Sequence, residues 1–414
     1  MLKRVKNATW WALGAVAMAL VVVAPASAKV VGDTIVFGAA LSFTGKYSTN
    51  GKHTKNGYEL AKKRINEMGG VKVGGKTYKI DIKYYDDEST PARGAQLAER
   101  LIKQDGIKFM LGPYSSGLTK AIAPVTEKYK IPMVEGNGAS RAIFNKGYKY
   151  VFGVLSTSDY YLREAINLAA QVAKKAGKDP KKLKVALAIE NDPFSQDIRA
   201  GVLEDAKRWG MRVVIDDKLP PELNDMSATL TKVKIKKPDI LVISGHSKGA
   251  TLAIKQLSEK KINVPMLAIT HCEAAKVIKN FGPKADYTLC AAQWAPALTY
   301  KDKWFGSAGD YAKTFEKKYG YVPPYQAAES TAAVLVYVDA LRRAGSFDTE
   351  KIRKALSATE IETFYGNIKF DKTGKNIAKP MVLRQIQNGK YKVVAPTKWA
   401  TSKLIHPRPK WSQR

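Results

Sequence analysis

The chain has 414 residues, 45% of them hydrophobic and 26% charged, which is enough apolar material for more than one core and leads to an expectation of two globular lobes. Lys and Arg total 69 against 37 Asp and Glu, a formal charge of +32, and such a balance raises nucleic acid or an anionic membrane as a partner. The basic residues run from end to end, however, without zinc-finger cysteine pairs or an aromatic RNA-binding signature, so a solvated basic surface is expected and nucleic acid is set aside.

Residues 1–28 read as a secretory signal peptide. Lys3, Arg4 and Lys6 open it, an apolar run covers 10–23, and Ala26-Ser27-Ala28 offers a small-residue cleavage site, so the mature chain is expected to begin at Lys29. The apolar run, about 14 residues followed by Pro25, falls short of the roughly 20 that span a bilayer. Export lowers the expected charge to +29 and removes the chain from contact with nucleic acid.

From there strands and helices alternate. The pattern predicts a strand at 34–41, a helix at 56–68 ended by Gly69-Gly70, a strand at 78–85, a helix at 91–104, a strand at 107–111, a helix at 119–129 and a strand at 131–134. A second series follows: helix 159–176, strand 184–189, helix 196–209, strand 212–216, helix 226–235, strand 239–244, helix 250–259 and strand 265–269. Helices at 309–319, 326–344 and 349–357 come next, then hairpin-like strands near Ile368, at 381–387 and at 391–394. This is the pattern of parallel sheets covered by helices. The fold expected is α/β, two doubly wound parallel-sheet lobes joined by a hinge, with 29–154 plus 294–362 in the first lobe and 155–293 plus 363–395 in the second. The basic segment 396–414 is expected to be mobile.

Two cysteines, Cys272 and Cys290, allow either a disulfide in an oxidising compartment or a pair of buried thiols. Four scattered histidines show no zinc spacing; His271-Cys272-Glu273 places three ligand types side by side, but adjacent residues rarely aim at one ion, and no metal is expected. Asp86-Asp87-Glu88 lacks the spaced oxygen ligands of a calcium loop and reads as a strand end. Neither a phosphate loop nor a dinucleotide fingerprint is present, so no cofactor is expected.

In open parallel sheets ligands bind beyond the carboxyl ends of the strands. Gly112-Pro113-Tyr114-Ser115-Ser116-Gly117 and Glu135-Gly136-Asn137-Gly138-Ala139-Ser140 occupy such places and read either as donor-rich sites for a carboxylate or as ordinary turns with serine caps. Arg141 reads either as an added charge for these loops or, preferentially, as a solvent-facing side chain. Gly245-His246-Ser247-Lys248-Gly249 fits the nucleophile elbow of an α/β-hydrolase. Only His271 and His406 follow Ser247; the first comes too soon and the second sits in the tail, which makes a secreted serine hydrolase the weaker reading.

Taken in order, Leu41-Ser42-Phe43-Thr44-Gly45-Lys46-Tyr47, Asn66-Glu67-Met68-Gly69-Gly70-Val71, Tyr85-Asp86-Asp87 with Pro91, the 112–117 loop and Gly138-Ala139-Ser140 resemble the type I periplasmic solute-binding proteins of the branched-chain amino acid (leucine/isoleucine/valine-binding) class. The resemblance covers nearly all of the mature chain. It implies a non-enzymatic periplasmic receptor that closes its lobes on an amino acid and delivers it, as a monomer, to an inner-membrane ATP-driven (ABC) permease. An amide, urea or aromatic acid is the alternative ligand, and sensing the alternative to uptake. It also implies that Ser115 or Ser116, with Gly138, Ala139 and Ser140, holds the ligand carboxylate, that Glu273 holds its ammonium with Asp159 as a helper, and that Tyr47 and Phe194 cover it. His246 or Ser247 falls where such proteins place a tyrosine, a departure that bears on selectivity.

Overall fold

A computed structural model of the chain describes residues 30–413; the signal peptide expected at 1–28 lies outside them. In chain order the first part holds β1 (Val30–Val31), β2 (Thr34–Leu41), α1 (Ser48–Glu67), β3 (Val71–Val73), β4 (Lys76–Asp86), α2 (Pro91–Lys103), β5 (Met110–Leu111), α3 (Ser116–Lys128), β6 (Met133–Glu135), α4 (Arg141–Phe144) and β7 (Val151–Gly153). The second part holds α5 (Arg163–Lys175), β8 (Lys184–Glu190), α6 (Pro193–Arg208), β9 (Arg212–Leu219), α7 (Ser227–Lys236), β10 (Ile240–Ser244), α8 (His246–Glu259), β11 (Met266–Ile269), α9 (Val277–Phe281) and β12 (Leu289–Ala292). The remainder comprises β13 (Lys301–Asp302), β14 (Gly306–Ser307), α10 (Ala308–Tyr319), α11 (Tyr325–Ala344), α12 (Thr349–Ser357), β15 (Glu360–Thr363), β16 (Gly366–Lys369), β17 (Val382–Gln387) and β18 (Lys390–Ala395).

Two sheets result. The first runs β3-β4-β2-β5-β6-β7, with β1 paired to β2, and is parallel from β4 to β7. The second runs β18-β17-β12-β11-β10-β8-β9, parallel from β12 to β9 and closed by the antiparallel pair β17 and β18. Strands such as β2 (TIVFGAAL) and β10 (ILVIS) are apolar without alternation because helices cover both faces of a parallel sheet. After β12 the chain returns to the first sheet, where α11 packs against α1, β3 and β6, and β17 and β18 then complete the second. The hairpin of β15 and β16 spans the expected boundary at 362/363.

Helix α1 begins eight residues before its predicted start. Its first two turns carry no apolar periodicity, yet Asn50, Gly51, His53 and Thr54 are buried there. Two glycines make this packing feasible: a Cβ on Gly51 would lie 1.9 Å from the Ser42 carbonyl oxygen, and one on Gly57 2.2 Å from that of Ala327. Strands β1, β3, β7 and β12, two to four residues long, are absent from the sequence expectation.

The segment after β18 departs from the expected mobility. Thr401 N–H donates to Val393 O at 2.9 Å, Ile405 N–H to Gln385 Oε1 at 2.9 Å, Arg408 N–H to Pro265 O at 2.8 Å, and Trp411 Nε1–H to Ile262 O at 3.0 Å. Composition points to a solvated tail, but the buried Trp399, donating to Thr299 Oγ1 at 3.3 Å, and the bonds of Arg408 and Trp411 to Pro265 and Ile262 hold it against the body of the protein. Among the described residues no helix is long and apolar enough to cross a membrane.

Candidate functional site

The carboxyl ends of the parallel strands face each other across a cleft, and the loops there meet. From the first sheet come Tyr114 after β5, Ser116 at the start of α3, Asn137 after β6, and Gln326 and Glu329 from α11; from the second come Phe194 at the start of α6, His246 after β10 and His271 after β11. Tyr161 and Tyr325 complete the wall, and the space left between them is about 10 Å³, room for roughly one water. Aromatic rings fill the rest: Phe194 lies 5.0 Å from Tyr161 and 5.3 Å from both His246 and His271 between centroids.

Three of these strand-end residues adopt left-handed backbone: Ser115 at φ 93°, His246 at φ 50° and His271 at φ 61°. Such conformations are disfavoured for side chains with a Cβ and collect where geometry serves a ligand.

A directed hydrogen-bond chain crosses the cleft. Tyr114 Oη lies 2.9 Å from His246 Nδ1 and 2.9 Å from His271 Nε2, while His246 Nε2 faces Asp192 Oδ1 at 3.4 Å. Burial opposes charge on His246, but Asp192 and Glu190 overcome it and raise its pKa above the ordinary value. Burial, aided by the charge on His246, drives the pKa of His271 well down. A protonated His246 donates through both nitrogens, so Tyr114 accepts from it and donates its single proton to neutral His271. The remaining His271 proton then sits on Nδ1, which is buried and has no protein partner. Asp192 also caps α6, accepting from the N–H groups of Phe194 at 2.9 Å and Ser195 at 3.2 Å, and so positions the Phe194 ring.

The donor loops are largely occupied by their own residues. Glu135 accepts from the N–H groups of Asn137 and, at 2.7 Å, Gly138. Ser140 gives its hydroxyl to Asp197 Oδ2 across the cleft at 2.7 Å and its N–H to Ser116 Oγ at 2.9 Å, and Ala139 O accepts from Ser158 N–H at 2.7 Å. Ser115 Oγ caps α3 by accepting from Leu118 N–H at 3.3 Å. Gly138, Ala139, Ser140 and Ser115 are thus engaged in building the wall. Of the four N–H groups that a helix start leaves unpaired, α3 retains those of Ser116 and Gly117, and the Ser116 hydroxyl proton joins them.

Tyr47 lies beside the cavity, its ring 5.0 Å from that of His246 and 5.5 Å from that of Tyr114; burial pushes its hydroxyl up to about 12. Glu273 is not brought to the cavity. It is ion-paired with Arg384, which projects from β17, and the pair faces a different recess. Asp159 also turns away, toward Arg141 at 3.9 Å and Arg163 at 4.0 Å. Arg141, expected in solvent, instead crosses the cleft to Asp197 at 3.5 Å and Glu204 at 3.3 Å. The acid that does line the cavity is Glu329, 1% exposed, whose Oε2 accepts from Tyr365 Oη at 3.2 Å. Burial holds its carboxyl well above the usual range, and Lys379 pulls it only partly back. Beside it both amide atoms of Gln326 and the amide oxygen of Asn137 are buried without partners.

Cys272 and Cys290 form a disulfide, so neither thiol can ligate an ion. Asp86 accepts from Phe43 N–H at 2.9 Å and Thr44 Oγ1–H at 2.7 Å, and Asp87 from Ser42 Oγ–H at 2.7 Å; these acids organise the loop before α1. Ser247 donates to Asn50 Oδ1 across the cleft at 2.8 Å, and among the described residues no histidine is hydrogen-bonded to it.

The model of the periplasmic binding protein family matches residues 34–390. The chain belongs to that family. A Leu/Ile/Val-binding protein homolog 8 from Brucella abortus (strain 2308) is 25% identical over 390 residues, covering 89% of this chain and 92% of the relative. Among solved structures, the branched-chain amino acid transporter substrate binding protein of Streptococcus pneumoniae in complex with isoleucine matches with a TM-score of 0.75 at 22% identity, over 88% of this chain and 100% of that one. A solute binding protein of R. palustris in complex with benzoate matches with a TM-score of 0.72 at 20% identity, over 87% and 95%. The two-lobed α/β fold is that of these periplasmic binding proteins.

Proposed function

We propose that this periplasmic binding protein, exported by the leader at 1–28, captures an amino acid between lobes formed by 29–154 with 294–362 and by 155–293 with 363–395, and delivers it as a monomer to an inner-membrane ATP-driven permease. The observation that carries the reading is the pairing, in one cavity, of the α3 N-terminus and Ser116 with the buried Glu329 carboxyl. A carboxylate is stabilised by the Ser116 and Gly117 N–H groups and the Ser116 hydroxyl. An ammonium beside Glu329 restores its ionised form, and Tyr161, Phe194 and Tyr325 offer ring faces to it or to an apolar side chain. The names of the curated relatives support an aliphatic amino acid. Four aromatic rings about a carboxyl whose ionisation burial opposes favour a second reading, an aromatic acid with no amine.

Isothermal titration of the mature chain with leucine, isoleucine, valine and benzoate separates the two. For an amino acid, Glu329→Gln weakens binding at least tenfold, or about 1.4 kcal/mol. An amino-acid affinity unmoved by Glu329→Gln refutes the ammonium role, and binding of benzoate alone refutes the amino-acid reading.

A further inference from the structure

The turn that sends His271 into the aromatic cavity sends Glu273 and Lys276 into a second one of about 640 Å³, within the range of small-molecule sites. Its floor is the Glu273–Arg384 ion pair, with side chains 11% and 3% exposed. The polar capacity of that floor is not used up: Arg384 Nε, Glu273 Oε2 and Tyr391 Oη are buried without a hydrogen-bond partner. The guanidinium lies 5.0 Å from the centroid of the Tyr391 ring, which orients both. Ile278, Pro296, Val322 and Val393 supply apolar wall, and Val322 is 54% exposed.

Four lysines line the same cavity: Lys276, Lys279, Lys390 and Lys392. Among the described residues none of them forms an ion pair, and Glu273 is already neutralised by Arg384, so four positive charges stand unbalanced around an apolar recess. An occupant that satisfies the site brings one negative group to the lysines, an acceptor to Arg384 Nε or Tyr391 Oη, and an apolar body to the walls. We propose that this recess is a second ligand site, for a small organic anion with an apolar body, of the aryl- or alkyl-carboxylate class. Val322 follows Tyr321, which is bonded to α1 residues His53 and Asn56, whereas Arg384 and Tyr391 belong to the second sheet. An occupant therefore touches both lobes and favours their closed arrangement. The inference does not depend on which ligand fills the aromatic cavity.

The test titrates the mature chain with 4-phenylbutyrate and with its methyl ester. Saturable binding of the acid is expected, with the ester failing to bind and Lys390→Glu/Lys392→Glu weakening the acid roughly tenfold or more. Lys390 is exposed and Lys392 half-buried, so the double variant is expected to fold, as its circular dichroism would show. Glu329→Gln, confined to the aromatic cavity, leaves this affinity unchanged. The proposal is overturned by no saturable binding, by equal binding of acid and ester, or by binding that Glu329→Gln abolishes and the lysine variant keeps. Leucine binding, measured in parallel, reports on the aromatic cavity separately.

Discussion

Tyr114→Phe isolates the polar contact at the centre of the cleft. The substitution keeps the ring, which packs 5.5 Å from Tyr47, and removes one oxygen that bridges His246 and His271 at 2.9 Å each. With His246 protonated, one of those hydrogen bonds is charge-assisted and the other neutral, worth roughly 1.5–3 and 0.5–1.5 kcal/mol, so about 2–4.5 kcal/mol is lost. Tyr114 belongs to the first sheet and both histidines to the second, so the loss falls on lobe closure more than on either lobe's own stability. At 1.4 kcal/mol per decade it shifts the open–closed equilibrium on the order of 30- to 1,600-fold toward open. Small-angle scattering of the ligand-free protein reads this directly: the radius of gyration rises in Tyr114→Phe, while each lobe's hydrogen-exchange protection away from the cleft stays as in the parent. An unchanged radius together with a uniform loss of protection would refute the cross-cleft role and assign the hydroxyl to the fold itself.

The two histidines titrate with opposite signs. The raised pKa of His246 stabilises the folded, closed form below the unfolded value near 6.5 and ceases to do so as pH climbs past the folded value, whereas the depressed pKa of His271 costs stability once pH falls below 6.5. Thermal unfolding across pH 5–8 should show His246→Gln losing most against the parent at the acid end and His271→Gln gaining there; parallel curves would contradict the assignment. Gly51→Ala drives a methyl into the Ser42 carbonyl and should cost about 1–3 kcal/mol by chemical denaturation, while Gly309→Ala, whose nearest neighbour atom is 3.6 Å away, is neutral or stabilising. Reducing the bridge between Cys272 and Cys290, separated by 18 in sequence, should lower unfolding stability by about 3 kcal/mol, and an unchanged melting temperature under reductant argues against that contribution.

Much of the architecture is legible because its signals are local. Strand β2 and helix α12 occupy their predicted spans, and α10 and α11 begin one residue early. Periodicity fails where burial is polar: the first turns of α1 bury Asn50, His53 and Thr54 against neighbours far along the chain. The site divides in the same way. Ser116, Phe194 and His246 line the cavity because strand-end loops and the family resemblance both point there. Glu273 does not, because β17, more than a hundred residues later, brings Arg384 to neutralise it, a pairing that no spacing reveals. Glu329 carried a usable signal: it is the one carboxylate in the 325–338 run of α11, where every residue is buried, and an acid in a helix buried all round marks a functional position.

The cross-cleft contacts divide between the rim and the centre of the cleft. Arg141–Glu204 at 3.3 Å stands at the rim, with side chains 34% and 50% exposed, and a solvent-screened pair of this kind contributes about 0–1 kcal/mol; Lys46–Glu190 at 3.0 Å is half-buried, its carboxylate 3% exposed. The buried contacts are those of Ser140 with Asp197 and of Tyr114 with the two histidines, and the one at Tyr114 borders the aromatic cavity. On the function proposed above, a ligand that parts Tyr114 from the histidines removes one internal latch and replaces it with its own bonds to Ser116, His271 Nδ1 and Glu329. Only a molecule able to make that exchange recovers the closed form, since a ligand shifts the equilibrium by no more than its difference in affinity for the two states. Under that reading selectivity is enforced at the closing step: a ligand lacking a group for Glu329 or for the α3 N-terminus loses the latch without replacing it, and the lobes shift toward open.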